Sequence, residues 1–391
     1  MRSAALCTAL LIAAPPAAAQ EINGALGLEL RGYAQAPAFA FQDDAVLQPS
    51  LSFEVRLAQD WNGGADRIVV APFLRWGGSG DGRDHADLRE AFWLHQGEGW
   101  STTLGMDRVF WGVAESRHLV DIVNQDDALE DIDGEDKLGQ PMANLTLHGE
   151  YGTLAIYALP GFRPRRFPDF GSRLGGPLPI GDPVYSDPGG RNRIDYALRW
   201  SKSLGAVDLG LSWFRGTARE PVLVPAGAEF VPRYDRITQT GLDLQYTAGA
   251  WLWKLEAIRR SGQGPRFWAA VAGFEWTLGD TGGSGADLGL LAEWNHDGRD
   301  RALAPATLYD DDLFLGARLG LNDVDGTSLL AGVLIDRATD ARVVTVEGER
   351  RLGESWLLGI EARFFGGGVA PDPIAAVDRD DYLALTLRRS F

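Results

Sequence analysis

The 391-residue chain carries 37 Lys and Arg against 54 Asp and Glu, a formal net charge of -17, and so lacks the basic footprint that phosphate binding needs, which excludes nucleic acid as a partner. Its single cysteine, Cys7, lies near the start, so disulfide and thiol chemistry are excluded from the remainder. Beyond the first residues no apolar run reaches the roughly 18 residues of a transmembrane helix, which leaves strands as the means of crossing a bilayer.

Residues 1–19 read as a secretory signal, with Arg2 as the charge, Ala4 to Ala14 as a short apolar run and Ala17-Ala18-Ala19 before Gln20 as the cleavage site. The exported chain is then 20–391. Its 49 glycines and 13 tryptophans against 3 methionines suit short strands, tight turns and aromatic belts.

From Leu26 onward apolar and polar residues alternate with a period of two. Leu26, Leu28 and Leu30 oppose Glu29, Arg31 and Tyr33, and Leu51, Phe53, Val55 and Leu57 oppose Ser52, Glu54, Arg56 and Ala58. Further strands are expected at 67–76, 87–96, 100–109, 142–149, 152–159, 193–203, 207–216, 235–247, 251–260, 266–278, 286–295, 311–321, 327–336, 341–352, 355–365 and 380–391. Each approaches the length of about 9 to 11 residues that a tilted strand needs to span a bilayer. The count is roughly 18, even as single-chain bacterial barrels require.

The connections alternate in length, except that Gly279 to Gly285 is a longish turn on the short side and Arg337 to Asp340 is brief on the long side. Short ones such as Asn62 to Ala65, Gly97 to Gly99 and Ala248 to Ala250 are followed by long ones such as 34–48, 110–141, 160–192, 217–234, 296–310 and 366–379. The fold expected is all-β, a transmembrane up-and-down antiparallel barrel of about 18 strands with long extracellular loops and short periplasmic turns. Trp61, Trp76, Trp100, Trp200, Trp213, Trp251, Trp276, Trp294 and Trp356 fall near strand ends, where an amphipathic ring meets the headgroups.

With the apolar face toward lipid, the lumen carries Glu29, Arg31, Glu54, Arg56, Arg75, Arg89, Glu361 and Arg363, with further charges including Asp107, Lys254, Glu256, Glu293, Arg318 and Glu347. Such charges need water or partners. Glu29 with Arg31, Glu54 with Arg56 and Glu361 with Arg363 stand two apart on one face, as salt-bridged rows would require.

The last stretch, Tyr382 to Phe391, places Leu383, Leu385, Leu387 and the aromatic Phe391 on one face. It resembles the closing strand of Gram-negative outer-membrane β-barrels, although Arg389 stands where that pattern has an apolar residue. The resemblance implies outer-membrane lipid and lipopolysaccharide as surroundings and recognition of the terminal strand by the barrel-assembly machinery. It identifies an architecture and not a substrate.

Two loops carry the candidate site. Residues 110–140 are acidic and contain Trp-Gly-Val-Ala-Glu-Ser-Arg-His-Leu-Val-Asp from Trp111 to Asp121, which resembles a porin-like group of no established function. Porins fold such a loop inward as a constriction. Leu119, Ile122 and Val123 suggest a short amphipathic helix. Residues 160–192 are basic at their start. The expected constriction sets Glu115, Arg117, Asp121, Asp126 and Asp127 against Arg163, Arg165 and Arg166 across a channel, giving a transverse field that orients small polar solutes.

Metal and catalytic readings are weaker. Asp131, Asp133 and Gly134 echo part of a calcium loop, but Leu129 and Gln140 occupy its first and last ligand positions. The five histidines lack metal-ligand spacing. Ser116, His118 and Asp121 supply the residue types of a hydrolytic triad, which only geometry defines. The expectation is a channel for passive diffusion of small hydrophilic solutes, not an enzyme, with no cofactor or metal. The alternatives are a dedicated conduit for one compound or polysaccharide working with inner-membrane machinery, and a blocked structural or adhesion barrel.

Overall fold

Alternation at a period of two becomes a sheet because each strand can turn its leucines and aromatics one way and its charges the other. In a computed structural model, which describes residues 20–78, 82–370 and 372–391, 18 strands form one sheet. The expected signal sequence lies outside the described residues. In chain order the strands are β1 (Gln20–Tyr33), β2 (Leu47–Trp61), β3 (Asp66–Gly77), β4 (His85–Gly97), β5 (Trp100–Asp107) and β6 (Gln140–Gly149). Next come β7 (Gly152–Pro160), β8 (Ile194–Leu204), β9 (Val207–Thr217), β10 (Arg236–Ala248), β11 (Trp251–Ser261) and β12 (Phe267–Leu278). The series ends with β13 (Asp287–Asp297), β14 (Asp311–Gly320), β15 (Ser328–Asp336), β16 (Arg342–Leu352), β17 (Trp356–Gly366) and β18 (Tyr382–Ser390).

Each strand pairs antiparallel with its sequence neighbours, and β1 pairs with β18 from Ala25↔Ser390 to Tyr33↔Tyr382, so the sheet has no free edge. At the seam Phe391 exchanges both backbone hydrogen bonds with Gly24, each 3.0 Å. Its ring lies over Gly24, 2.3 Å from where a Cβ would stand, so a side chain at residue 24 would displace the ring. Arg389 lies over the Trp356 ring at 5.5 Å.

Leu26, Leu28, Leu30, Leu383 and Leu385 are exposed on the outer face. Glu29, Arg31, Arg89, Glu256, Glu293 and Arg363 are buried within. Trp76 and Trp268 flank one end of the outer wall, and at the other Trp251 stacks on Trp253 and Trp276 at 5.7 and 5.5 Å. Eight turns lie at the end holding both chain termini and nine loops at the opposite end, where the three longest are 108–139, 161–193 and 218–235.

One strand pair departs from regularity. Between β3 and β4 the register shifts at Pro72, which has no N–H to give, and Arg89 is the extra residue. The bulge re-aims Arg89, whose guanidinium lies over the Phe73 ring at 3.8 Å. The amphipathic helix expected near Leu119 does not form: 108–124 is irregular chain, because its amide hydrogens are taken by side chains of the wall rather than by its own carbonyls.

Candidate functional site

The 108–139 loop enters the barrel and divides the lumen. Its first half carries Trp111, Ala114, Leu119, Val120, Ile122 and Val123, all buried, against inward-facing Tyr157, Phe214, Ile237, Ile258, Phe267 and Val271 of β7 to β12. The lumen is therefore not uniformly charged, which corrects the expectation from alternation: this arc of the inner wall carries an apolar patch beside its charges, and the loop is what covers it.

Two wall carboxylates fix the loop's backbone. Glu256 on β11 accepts hydrogen bonds from the amides of Val113 at 2.7 Å, Ala114 at 3.0 Å and Val120 at 3.1 Å. Glu293 on β13 accepts from the amides of Glu115 and Ser116, each 2.8 Å, and from the Ser116 hydroxyl at 2.7 Å. Next to them Arg117 donates to Asp297 at 2.8 Å. Charged acceptors on otherwise orphaned amides are strong hydrogen bonds, so an irregular chain is tolerated in the lumen.

The second, acidic half is held by arginines of the opposite wall. Glu130 takes both Nε and Nη2 of Arg75 on β3 at 2.7 Å, and buried Asp127 meets Arg89 at 3.4 Å and His85 at 3.7 Å. Glu29 lies among Arg83 at 2.5 Å, Arg75 at 3.3 Å and Arg31 at 3.4 Å. A two-residue ladder, Gln125–Asp126 with Lys137–Leu138, turns the loop back on itself. At its tip four carboxylates converge on Arg363 of β17: Asp133 at 2.7 Å, Glu347 at 3.0 Å, Glu361 at 3.3 Å and Asp131 at 3.6 Å.

What the loop leaves open is a cavity of about 690 Å³ against the inner face of β14 to β17, lined among others by Glu115, Arg318, Leu330, Leu334, Val343 and Glu347. Outside it lies a vestibule of about 530 Å³ bounded by the loops at Arg165, Glu220 and Arg301. Ser116, His118, Ile132, Asp133, Glu135, Leu308 and Tyr309 line both spaces and so stand between them, a position termed the neck. A third space of about 550 Å³ lies under Gly112 and Val113 beside Arg199 and Asp243.

At the neck His118 Nε2 lies 2.6 Å from Glu135, and Nδ1 lies 3.9 Å from Glu256. Burial pulls the imidazole down, yet these two carboxylates outweigh it and lift it to about 10, so the ring is an imidazolium at neutral pH. Burial and the adjacent Asp131 push Asp133 well above the usual carboxylate range against the pull of Arg363.

The residues singled out from sequence have separate placements. Glu115 lines the inner cavity and pairs with Arg318 at 2.7 Å. Arg117, Asp121, Asp126 and Arg165 line the vestibule. Asp126 is in direct contact with Arg165 and 2.7 Å from Lys137, which also meets Asp121 at 3.2 Å. Arg163 contacts Asp87 directly and donates to the Gly139 carbonyl at 2.8 Å, and Arg166 lies 3.7 Å from Asp87. Of the residues expected to face one another, Asp126 and Arg165 are in contact because the basic loop lies on the acidic one there, while Arg163 and Arg166 lie at Asp87 of β4.

The same basic loop continues over the barrel mouth. Arg173 is buried beside Asp380 at 2.9 Å and over Tyr33 at 4.3 Å, and its carbonyl accepts from Gln42 at 2.9 Å. On the wall Glu29–Arg31 and Glu361–Arg363 pair within one strand, whereas Glu54 meets Arg388 at 3.5 Å and Arg56 meets Glu90 at 2.9 Å across strands.

The triad residues Ser116, His118 and Asp121 spend their polar atoms on Glu293, Glu135 and Lys137. The carboxylates of Asp310, Asp312 and Asp336 come within 4.8 Å of one another at the loop end of β14 and β15, a cluster the sequence reading did not single out. The neck residues Leu308 and Tyr309 were also missed; nothing in an irregular loop signals that it reaches the lumen.

No protein-family model matches the chain, and no curated protein matches it in sequence. Solved structures do match. OccD3 (OpdP) of Pseudomonas aeruginosa superposes with a TM-score of 0.58 at 11% identity, covering 95% of this chain and 91% of its own. OccK3 (OpdO) of the same organism superposes at 0.55 with 12% identity, covering 95% and 96%. At such identity the likeness speaks for the fold alone: the chain has the 18-stranded fold of porin-like outer-membrane barrels.

Proposed function

We propose that the protein is an outer-membrane channel for passive diffusion of small hydrophilic solutes, narrowed where the 108–139 loop approaches β14 to β17. The observation that carries the reading is that the outer vestibule and the inner cavity adjoin, with one shared set of lining residues between them. A loop fixed to both walls and tied to the third arc through Glu115, Asp131 and Asp133, with a cavity left beside those contacts, suits a permanent constriction rather than a plug. Residence in the outer membrane is supported by the closed sheet, its exposed outer leucines and the tryptophans at its ends. Glu115, Arg117, Asp121, Asp126 and Arg165 act in this reading as the charged lining of the entry, and Asp127, Arg163 and Arg166 as the supports that hold it.

Purified protein in planar bilayers tests the proposal. Discrete conductance steps in KCl, together with swelling of proteoliposomes in small sugars and not in large ones, are expected. An insulating bilayer with folded, heat-modifiable protein present refutes it and favours a blocked barrel.

A further inference from the structure

The open arc of the wall differs from the rest of the lumen in one respect: its apolar side chains Leu330 and Leu334 line the cavity and lie outside the cluster buried under the 108–139 loop, while Val343 lines it too and also packs beside Leu308 and Ile374 of the mouth loops. On β15 Leu330 and Leu334 face inward, half-buried, with Val343 of β16 beside Leu334, and Ile132 on the loop tip opposite is 42% exposed. Behind them Phe314 lies flat on the wall, because Gly316 and Gly332 leave room for its ring; a Cβ at Gly332 would stand 2.5 Å from it.

Directly beside this apolar stripe runs an acidic one. Leu330 is paired with Glu347, and Glu347 with Glu361. Arg363 is shared by four carboxylates at 2.7 to 3.6 Å, and the other arginine of the cavity, Arg318, is engaged by Glu115 at 2.7 Å. Even with Asp133 held neutral, the other three carboxylates outnumber the guanidinium they share, and a passing cation relieves that surplus of negative charge. Water alone would satisfy the carboxylates, but it gains nothing from the neighbouring leucines.

We infer that the inner cavity is a transit site for small organic cations with an apolar body, an arylalkylammonium being the type, whose ammonium meets Glu347, Glu361 and Asp133 while its hydrocarbon lies on Leu330, Leu334 and Val343. This rests on the channel reading above. The two stripes divide the selection: the acidic one rejects carboxylates of the same shape, and the apolar one holds an aryl or alkyl group longer than a bare ammonium ion.

Single-channel recording with phenethylammonium, methylammonium and phenylacetate added to KCl tests the inference. Phenethylammonium is expected to interrupt the current with resolvable dwell times, methylammonium to pass without resolvable block, and phenylacetate to leave the trace unchanged. Leu330→Ser should shorten the phenethylammonium dwell about fivefold, the equivalent of roughly 1 kcal/mol of lost apolar contact. Glu347→Gln should shorten the dwell and also lower the cation preference read from the K⁺/Cl⁻ reversal potential. Equal block by phenylacetate and phenethylammonium, or a dwell time indifferent to Leu330→Ser in a variant of normal KCl conductance, overturns it. If no KCl current appears, the channel reading fails on its own account. Calorimetric titration of the detergent-solubilised barrel with phenethylammonium then decides the site: saturable heat weakened by Glu347→Gln supports it, and no heat overturns it.

Discussion

Glu256→Ala removes the carboxylate that takes the amides of Val113, Ala114 and Val120 at 2.7, 3.0 and 3.1 Å, in a site with no solvent exposure. A buried amide left without an acceptor costs about 1 to 3 kcal/mol, so three set an upper range on the order of 3 to 9 kcal/mol. Water entering the space vacated recovers part, leaving roughly 3 kcal/mol. Against this stand Trp111, Leu119, Val120, Ile122 and Val123, each worth about 1.5 to 3 kcal/mol buried. The apolar anchor exceeds the loss even after chain ordering is subtracted. The loop therefore stays inside the barrel while its 113–120 segment loosens at the neck. Hydrogen exchange of the folded barrel should show amides 113, 114 and 120 losing protection while those of Val109 and Asp127, bonded to Asn124 and to the Asp136 carbonyl, keep theirs. Planar-bilayer recording should show greater open-channel noise. Unchanged protection at all three amides would refute the reasoning, because the clamp would then hold nothing.

Further outcomes follow from the same geometry. Arg363→Gln strips four carboxylates of their shared cation and should shift the KCl reversal potential toward stronger cation preference; an unmoved potential would remove Arg363 from the pathway. His118 is raised from 6.5 to about 10 on folding, so its contribution to loop docking is complete below about 6.5 and is lost as pH rises through about 10. Channel noise should therefore climb over that alkaline interval in the parent protein and not in His118→Gln. Because Asp133 is held above the usual carboxylate range, cation preference should also grow as the solution is made alkaline, and Asp133→Asn should flatten that trend in reversal-potential measurements. Trp111→Ala opens a cavity beside Tyr157, with ring centroids 5.8 Å apart in the parent, and should cost about 3 to 5 kcal/mol, seen as an earlier loss of the heat-modifiable gel band.

Strand number, closure and the separation of turns from loops were legible in the chain because a barrel strand repeats one simple requirement, a period of two over a nearly fixed length, and the turns repeat another. Leu26-Leu28-Leu30 against Glu29 and Arg31 assigns its own faces without reference to anything else. Where two apolar residues adjoin, as in Trp213-Phe214, Leu329-Leu330, Val343-Val344 and Phe364-Phe365, alternation assigns neither, and at each of these places one apolar residue, Phe214, Leu330, Val343 or Phe365, faces the lumen. Such doublets were the one available sign that the lumen is not charged throughout.

The site depended on tertiary structure. That residues 108–139 turn inward was inferable from their mixed composition, and Glu256 and Glu293 were recognisable as inward-facing. That these two acids clamp backbone amides more than a hundred residues away is fixed only when the barrel closes and brings β11 and β13 to the loop. The pairing of Asp126 with Arg165 likewise depends on one loop lying upon another. Local sequence sets which way a strand's side chains point, because that choice is made by backbone geometry within a few residues. Which charge neutralises which, and which arc of the wall stays open, are set by contacts between segments far apart in the chain, and no local pattern encodes them.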